Sequence, residues 1–345
     1  MKFSRRKFIA LISFLGMSAA LGSIYANLKL RKSIPPIEKS GDRSKVFMIG
    51  SEDRQTGIKK LMENFPIESY EGENVAIKAN FNSDDPFPAS THLDALGAVV
   101  EELKRFQVSE INLAERSGMG NTRKVLENIG VFDLAKSIGF NVSVLDELSK
   151  EDWIQIPPDG IHWLKGFQIA KIFKDSSRIV QICCLKTHRF GGHFTMSLKN
   201  SVGMVAKRPP GDVYDYMLEL HASPFQRSMI AEINRFYDID LIIMDASKAF
   251  VEGGPDRGEM VEPGVILASA DRIAIDAVGA AILRSYGSTK EVMEGKIFEL
   301  EQIRRAVELG IGVNSADRID LIPLDDSCQD IANKVKSILD SEKDD

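Results

Sequence analysis

Cysteine is scarce in this chain, which contains three in 345 residues. Cys183 and Cys184 are adjacent within an apolar run and Cys328 stands alone, so there is neither a disulfide framework nor a cysteine-rich metal motif. An iron–sulfur cluster is usually held by more cysteines than one copy of this chain contains. We therefore expect no intrinsic iron–sulfur cluster.

The common nucleotide-binding and hydrolase motifs are also missing. No G-x-G-x-x-G follows a predicted strand, no Walker A phosphate loop is present, and there is no G-x-S-x-G turn. The missing motifs therefore argue against nicotinamide binding, P-loop hydrolysis and α/β-hydrolase chemistry.

Acidic residues outnumber basic residues over most of the chain. The net charge is −6, and the first 26 residues hold four basic side chains and no acidic one, which leaves −10 for the remainder. Nucleic-acid affinity depends on neutralising phosphates, so we expect no nucleic-acid partner. A local basic site for a small anionic ligand is compatible with this composition.

Residues 1–26 have the pattern of an export signal or anchor, with a basic start and an apolar stretch over Phe8–Leu21. Ser4–Ile9, SRRKFI, resembles the twin-arginine consensus, whose export machinery carries folded proteins; a plain secretory signal is the alternative. Ile24–Ala26 is a weak match to a signal cleavage site, so an uncleaved membrane anchor is the alternative to a cleaved signal. Such an anchor would be the chain's one contact with a membrane. We expect a periplasmic or otherwise extracytoplasmic protein, with a linker over residues 27–44.

Strands and helices alternate from residue 45 to 325, which predicts an α/β fold with a mainly parallel sheet and helices on both faces. The length fits two subdomains or one large domain with an excursion. Thr91 is the expected N-cap of a helix over Leu93–Phe106. Residues 326–345 are predicted to be a C-terminal helix and polar tail.

Polar side chains gather where four predicted strands end. These clusters are Lys78–Asn80, Glu115–Ser117, Lys186–His188, and Asp245 with the acidic loop at Glu252–Pro255. Because parallel strands place their carboxyl ends along one edge of a sheet, we expect the clusters to converge on one site.

The densest cluster is Lys186–Asn200, KTHRFGGHFTMSLKN. Its lysines and Arg189 are suited to binding a carboxylate or phosphate, and a buried lysine also serves as a base or nucleophile. The alternative is a solvated charged loop.

His188 and His193 flank a Gly-Gly pair that permits a tight turn. Two histidines and a carboxylate such as Asp245 are a common set for a divalent transition metal, although the spacing matches no established metal motif. The alternative is one histidine hydrogen-bonded within the fold and the other in solvent.

These motifs together resemble the domain-of-unknown-function 362 family over Asn74–Ile282. The resemblance is carried, in order, by IKANF, the Thr91-His92 helix start, LAERSG, CLKTHRFGGHFTMSLKN with VGMV, MDASKAFVEGGP and LASADRIAIDAVGA. Other members often carry a ferredoxin-like cluster domain, whose cysteines are missing here.

The family resemblance implies an α/β fold and a distant likeness to nickel-dependent racemases of hydroxy acids. It also implies a site around Lys78, Lys186, His188, Lys199, Asn200, Glu252 and Asp276.

The residues are compatible with two functions: an exported enzyme acting on a small anionic substrate, and a periplasmic anion- or metal-binding accessory protein without turnover. For the enzyme we assign catalysis to Lys186, His188 and Glu252, and a metal to His188, His193 and Asp245. The expected substrate-binding residues are Lys78, Asn80, Ser117, Arg189, Lys199 and Asn200.

Overall fold

The computed structural model describes residues 43–118 and 120–342. The predicted export signal, residues 27–42 of the predicted linker and the last three residues lie outside this range. Among the helices of the described part, none combines the length and the apolar character that crossing a membrane requires.

The described residues form twelve strands and twelve α-helices. The strands are β1 Ser44–Gly50, β2 Asn74–Lys78, β3 Glu110–Glu115, β4 Asn141–Val144, β5 Trp153–Ile156, β6 Phe167–Ala170, β7 Arg178–His188, β8 His193–Thr195, β9 Leu241–Gly253, β10 Gly258–Val261, β11 Val265–Ser269 and β12 Ile319–Pro323. The helices are α1 Arg54–Met62, α2 Leu93–Arg105, α3 Thr122–Ile129, α4 Val131–Ile138, α5 Ile172–Asp175, α6 Ser197–Asn200, α7 Tyr216–Ala222, α8 Gln226–Ile233, α9 Arg272–Ser285, α10 Lys290–Met293, α11 Glu301–Glu308 and α12 Gln329–Asp340.

Ten strands form one mixed sheet in the order β12-β1-β11-β9-β7-β2-β3-β4, with β10 added to β9 and β8 to β7. Along that order β11 is antiparallel to both of its neighbours, β1 and β9. The other neighbouring pairs are parallel. The predicted α/β fold with a mainly parallel sheet is confirmed.

Helices pack on both faces of this sheet. On one face α1 to α4 cover an apolar cluster shared with β1, β2, β3 and β7. On the other, α9, α11 and α12 cover β1, β11, β9 and part of β7. A third cluster around Trp163 covers β2, β3 and the start of β7, and it includes the separate β5–β6 pair, which the sequence analysis left unassigned.

Strand β7 runs through the middle of the sheet, and every residue from Ile179 to His188 is buried. A strand covered on both faces has an unbroken apolar sequence, which explains why Ile179–Leu185 was recognisable. The strand continues three residues further than that run. Lys186 and His188 are therefore strand residues, and strand alternation directs them to the same face.

The helix start at α2 differs from the prediction. His92, not Thr91, is the N-cap, and its Nδ1 accepts a hydrogen bond from Asp94 N at 3.2 Å. The Thr91 hydroxyl instead accepts from Asn80 N at 2.8 Å and donates to Ile182 O at 3.4 Å. Thr91 thus connects the segment after β2 to β7, and this contact outweighs a local cap.

Replacing either of two helical glycines with alanine is expected to change the free energy of unfolding, in opposite directions at the two positions. A Cβ at Gly97 in α2 would meet its nearest neighbour, Leu134 Cδ1, at 3.9 Å, whereas one at Gly279 in α9 would lie 2.4 Å from Met196 Sδ. Gly97→Ala should raise the free energy of unfolding by about 0.5–1 kcal/mol, because alanine has less entropy to lose in a helix. Gly279→Ala should lower it by about 1–3 kcal/mol through overpacking. Urea unfolding of both variants checks this, and equal effects would contradict it.

Candidate functional site

A cavity of about 40 Å³ lies at the carboxyl ends of the adjacent strands β7, β2 and β3. A water molecule needs roughly 10–15 Å³ by this measure, so the space suits a few waters or an organic anion of a few atoms. Its walls are formed by Lys78, Asn80, Phe81, Asn82, Glu115, Arg116, Gly118, Lys186, His188, Thr195, Lys199, Asn200, Val202, Gly203 and Pro255.

The cavity wall carries a strong excess of positive charge. Four of its side chains are basic, Lys78, Arg116, Lys186 and Lys199, whereas Glu115 is the one carboxylate among them. Lys78, Arg116 and Lys186 are buried. Buried charge is costly unless it is paired, so this wall favours an anion as ligand.

Lys78 and Glu115 form a buried ion pair across β2 and β3. The Lys78 ammonium donates to Glu115 Oε1 and to Ala79 O, and it lies 3.3 Å from Asn200 Oδ1. Burial lowers the pKa of Lys78 and raises the pKa of Glu115, while their mutual attraction opposes both shifts. The pair fixes two strand ends against each other and neutralises part of the wall.

Lys186 and Lys199 differ in how they are held. The Lys186 ammonium donates to Ala89 O, in the segment between β2 and α2, and burial lowers its pKa. Lys199 is half-buried, and its ammonium has no hydrogen bond or ion pair among the described residues. Its pKa falls to about 7, first through burial and then through repulsion by Lys186 and Arg116.

His188 is a neutral imidazole at the same place. Burial, followed by the nearby Lys199 and Lys186, holds its pKa well below the usual value of 6.5. Its buried Nδ1 has no hydrogen-bond partner among the described residues.

Four further wall residues also present buried polar atoms without a partner in the described part of the chain: Asn80 through Oδ1, Glu115 through Oε2, Arg116 through Nε and Thr195 through Oγ1. Buried polar atoms are normally hydrogen-bonded. These atoms and His188 Nδ1 therefore indicate that water or a ligand completes the cavity.

Two glycines leave room for these side chains. A Cβ at Gly192 would lie 2.9 Å from both His188 Nδ1 and Lys199 Cε, so those two atoms are at most twice that distance apart. A Cβ at Gly203 would lie 2.6 Å from Lys78 Nζ. The glycines thus allow the backbone to approach the functional groups closely.

Asp276 positions the short helix that carries Lys199 and Asn200. Its carboxylate accepts hydrogen bonds from Ser197 N at 2.8 Å and Leu198 N at 3.0 Å, at the start of α6. Burial raises the pKa of Asp276 to about 8. Asp276 does not line the cavity, so its contribution to the site is indirect.

The structure brings six of the predicted site residues to one cavity: Lys78, Asn80, Lys186, His188, Lys199 and Asn200. Asn200 binds the neighbouring strand, since its Nδ2 donates to Lys78 O at 3.1 Å. Three of the four predicted clusters therefore converge, as expected for the ends of adjacent parallel strands.

Three of the predicted catalytic and substrate-binding residues lie elsewhere. Glu252 is exposed near the end of β9 and does not line the cavity. Arg189 forms an ion pair with Asp256 at 2.7 Å and donates to Gly254 O at 2.8 Å. Ser117 lies 3.0 Å from the Thr122 hydroxyl, so it stabilises the start of α3.

The predicted metal ligands are not brought together. Asp245 Oδ2 accepts from Arg54 Nε at 2.7 Å, and Asp245 is level with Cys184, roughly 13 Å along the strand from His188. His193 lies opposite His188 in the β7–β8 hairpin but does not line the cavity. No group of three or more His, Cys, Asp or Glu suited to a metal occurs within residues 43–118 and 120–342. With lysines around His188, this donor set does not fit a divalent cation.

The sequence analysis missed Glu115, Arg116 and Thr195. The cluster Glu115–Ser117 was recognised, but Ser117 alone was selected from it as a site residue. Strand β3 ends at Glu115, so Glu115 is the residue at the sheet edge. Thr195 could have been identified from the sequence, because a hairpin around Gly191-Gly192 pairs it with Lys186.

Comparisons with known proteins give one family and a distant structural likeness. The model of the family described as "Domain of unknown function (DUF362)" matches residues 75–281, within the range expected from the sequence. No curated protein matches the chain. The solved structure of the lactate racemase apoprotein from Thermoanaerobacterium thermosaccharolyticum is similar at 14% identity and a TM-score of 0.44, over 70% of this chain and 58% of that chain.

The buried Lys78–Glu115 pair predicts a stability change. Glu115→Gln removes the partner of a buried ammonium and should lower the free energy of unfolding by about 3–5 kcal/mol. Replacing both residues, as Lys78→Met with Glu115→Leu, should recover most of that loss, because no buried charge is left unpaired. Urea unfolding measures all three chains. A Glu115→Gln variant as stable as the wild type would contradict the pair's role.

Proposed function

This chain belongs to the DUF362 family, and we propose that it is an enzyme that binds a small carboxylate and transfers a proton on it. His188 is the base, and Lys186 with Arg116 holds the anion. The observation that supports this most directly is the presence of unpartnered buried atoms, among them His188 Nδ1, Arg116 Nε and Thr195 Oγ1, in a cavity lined by cations.

The anion is inferred from the surplus charge of the wall. Glu115 offsets Lys78, which leaves Arg116, Lys186 and Lys199 without a carboxylate in the cavity. An ammonium has three N–H donors, and the single hydrogen bond from Lys186 to Ala89 O leaves two for a ligand. A carboxylate would accept from Lys186 and lower the cost of keeping these cations buried.

Proton transfer is inferred from the state of His188. A base must be unprotonated at the working pH, and the lowered pKa of His188 keeps the imidazole neutral. A bound anion would oppose this lowering and shift the pKa of His188 back toward neutral pH. The Thr195 hydroxyl would donate to the carboxylate, whereas Asn80 Oδ1, an acceptor, would orient the substrate only through a substrate O–H. We assign no catalytic role to Glu252, because its side chain is exposed.

A metal held by His188, His193 and Asp245 is not included in the proposal, because these side chains do not converge and the cavity is cationic. We retain an extracytoplasmic location and the twin-arginine export machinery as partner, supported by the SRRKFI segment.

The test combines binding and turnover. Thermal unfolding with acetate, lactate and malonate should show a rise in melting temperature, corresponding to about 2.7 kcal/mol at a ligand concentration of 100 Kd. Proton transfer is followed by NMR, as exchange of ligand C–H for deuterium in heavy water. Lys186→Met should lose most of the melting-temperature rise, whereas His188→Gln should retain binding and lose exchange.

Glu252→Gln is the matched control, since it alters an exposed carboxylate outside the cavity and should change neither measurement. Anion binding without exchange would favour the accessory protein that binds without turnover. Absence of any carboxylate effect in the wild type would contradict the proposed site itself.

A further inference from the structure

We propose that Lys199 forms an imine with the carbonyl carbon of a small 2-oxo acid whose carboxylate is held by Lys186. This inference rests on the proposed anion site and specifies its substrate class. It gives Lys199 a covalent role in place of the substrate-binding role expected from the sequence.

Lys199 is distinguished from the other two lysines of the cavity by its contacts. Lys78 is engaged by Glu115 and by the carbonyl of Ala79. Lys186 is directed to Ala89 O. The Lys199 backbone carbonyl accepts from Ser201 N, but its ammonium makes no hydrogen bond or ion pair with any described residue, so this nitrogen can approach a ligand without breaking a protein contact.

The charge around Lys199 favours a neutral amine, the form that attacks a carbonyl. Burial penalises an added proton most, and repulsion by Lys186 and Arg116 adds to this penalty. The resulting pKa of about 7 leaves a large neutral fraction at neutral pH. At pH 7 the neutral fraction of an exposed lysine is smaller than that of Lys199 by a factor on the order of 10³.

His188 is placed to handle the protons of this step. His188 Nδ1 and Lys199 Cε approach the same point beside Gly192, each at 2.9 Å from it. As the amine attacks, a C–N bond forms and the carbonyl oxygen becomes a hydroxyl. His188 carries the first amine proton to that oxygen and then delivers a proton from solvent to the hydroxyl, so the C–O bond breaks, the oxygen leaves as water, and the nitrogen keeps its second hydrogen as a protonated imine. No oxidant or reductant is required.

The imine also explains how a weak base such as His188 removes a carbon-bound proton. A protonated imine withdraws electrons from the neighbouring carbon more strongly than the carbonyl does, which lowers the barrier to proton removal there. The volume of about 40 Å³ suits a small acid. Glyoxylate and pyruvate are the probes of that size, the second carrying an adjacent C–H.

The experiment traps the imine by reduction. The full chain is incubated at pH 7 with glyoxylate and cyanoborohydride, and peptide mass spectrometry locates the resulting carboxymethyl groups. Lys199 should be modified at least about tenfold faster than the exposed Lys124, because of its larger neutral fraction. Excess acetate should slow the modification of Lys199 and leave Lys124 unchanged.

Lys199→Arg keeps the positive charge but cannot form the imine, and its far-UV spectrum verifies folding. Lys124→Met is the matched control and should still be trapped at Lys199. Modification of Lys199 no faster than Lys124, or mainly of Lys186, would overturn the inference. If acetate still raises the melting temperature in that case, only the imine fails; if acetate has no effect either, the proposed function fails with it.

Discussion

The site depends on the cost of burying positive charge at one edge of the sheet. Three cations of the cavity, Lys78, Arg116 and Lys186, are almost fully removed from water, and one carboxylate accompanies them. Backbone carbonyls at Ala79, Ala89 and Val202 accept hydrogen bonds from these cations but supply no charge. The fold therefore sustains a positive cavity whose electrostatic complement is an anion. Burial is the main cause of the lowered pKa values of the lysines and His188, and repulsion by neighbouring cations adds to it at Lys199 and His188.

The sheet supplies the rigidity that this arrangement requires. Strand β7 is covered on both faces, and its last residues extend past the end of β2 while still paired with β8 and β9. Lys186 and His188 are thus held by backbone pairing as well as by packing. Asp276 binds the start of α6 through two backbone hydrogen bonds, which fixes Lys199 and Asn200 opposite the strand ends. Functional groups carried by such elements need little reorganisation when a ligand binds.

The sequence was sufficient for the fold class and for the part of the site that follows directly on buried strands. Lys186 and His188 could be predicted because an apolar run leads into them without a break. Glu252 could not be placed, because β9 continues into a hairpin with β10 and leaves the carboxylate in solvent. Asp245 was assigned to a metal, but the Arg54 guanidinium, 191 residues away in sequence, binds it. Such long-range pairings decide which polar residues are available, and a local pattern does not contain them.

The most direct test of the account is anomalous diffraction from crystals soaked in bromide. We predict a bromide peak inside the cavity, within contact distance of Lys186 and Lys199, that a subsequent acetate soak removes. Such a peak would place an anion among the buried cations without any assumption about the reaction. Bromide peaks confined to exposed lysines and arginines, with the cavity holding only water, would contradict the claim that this strand-end cluster is an anion site.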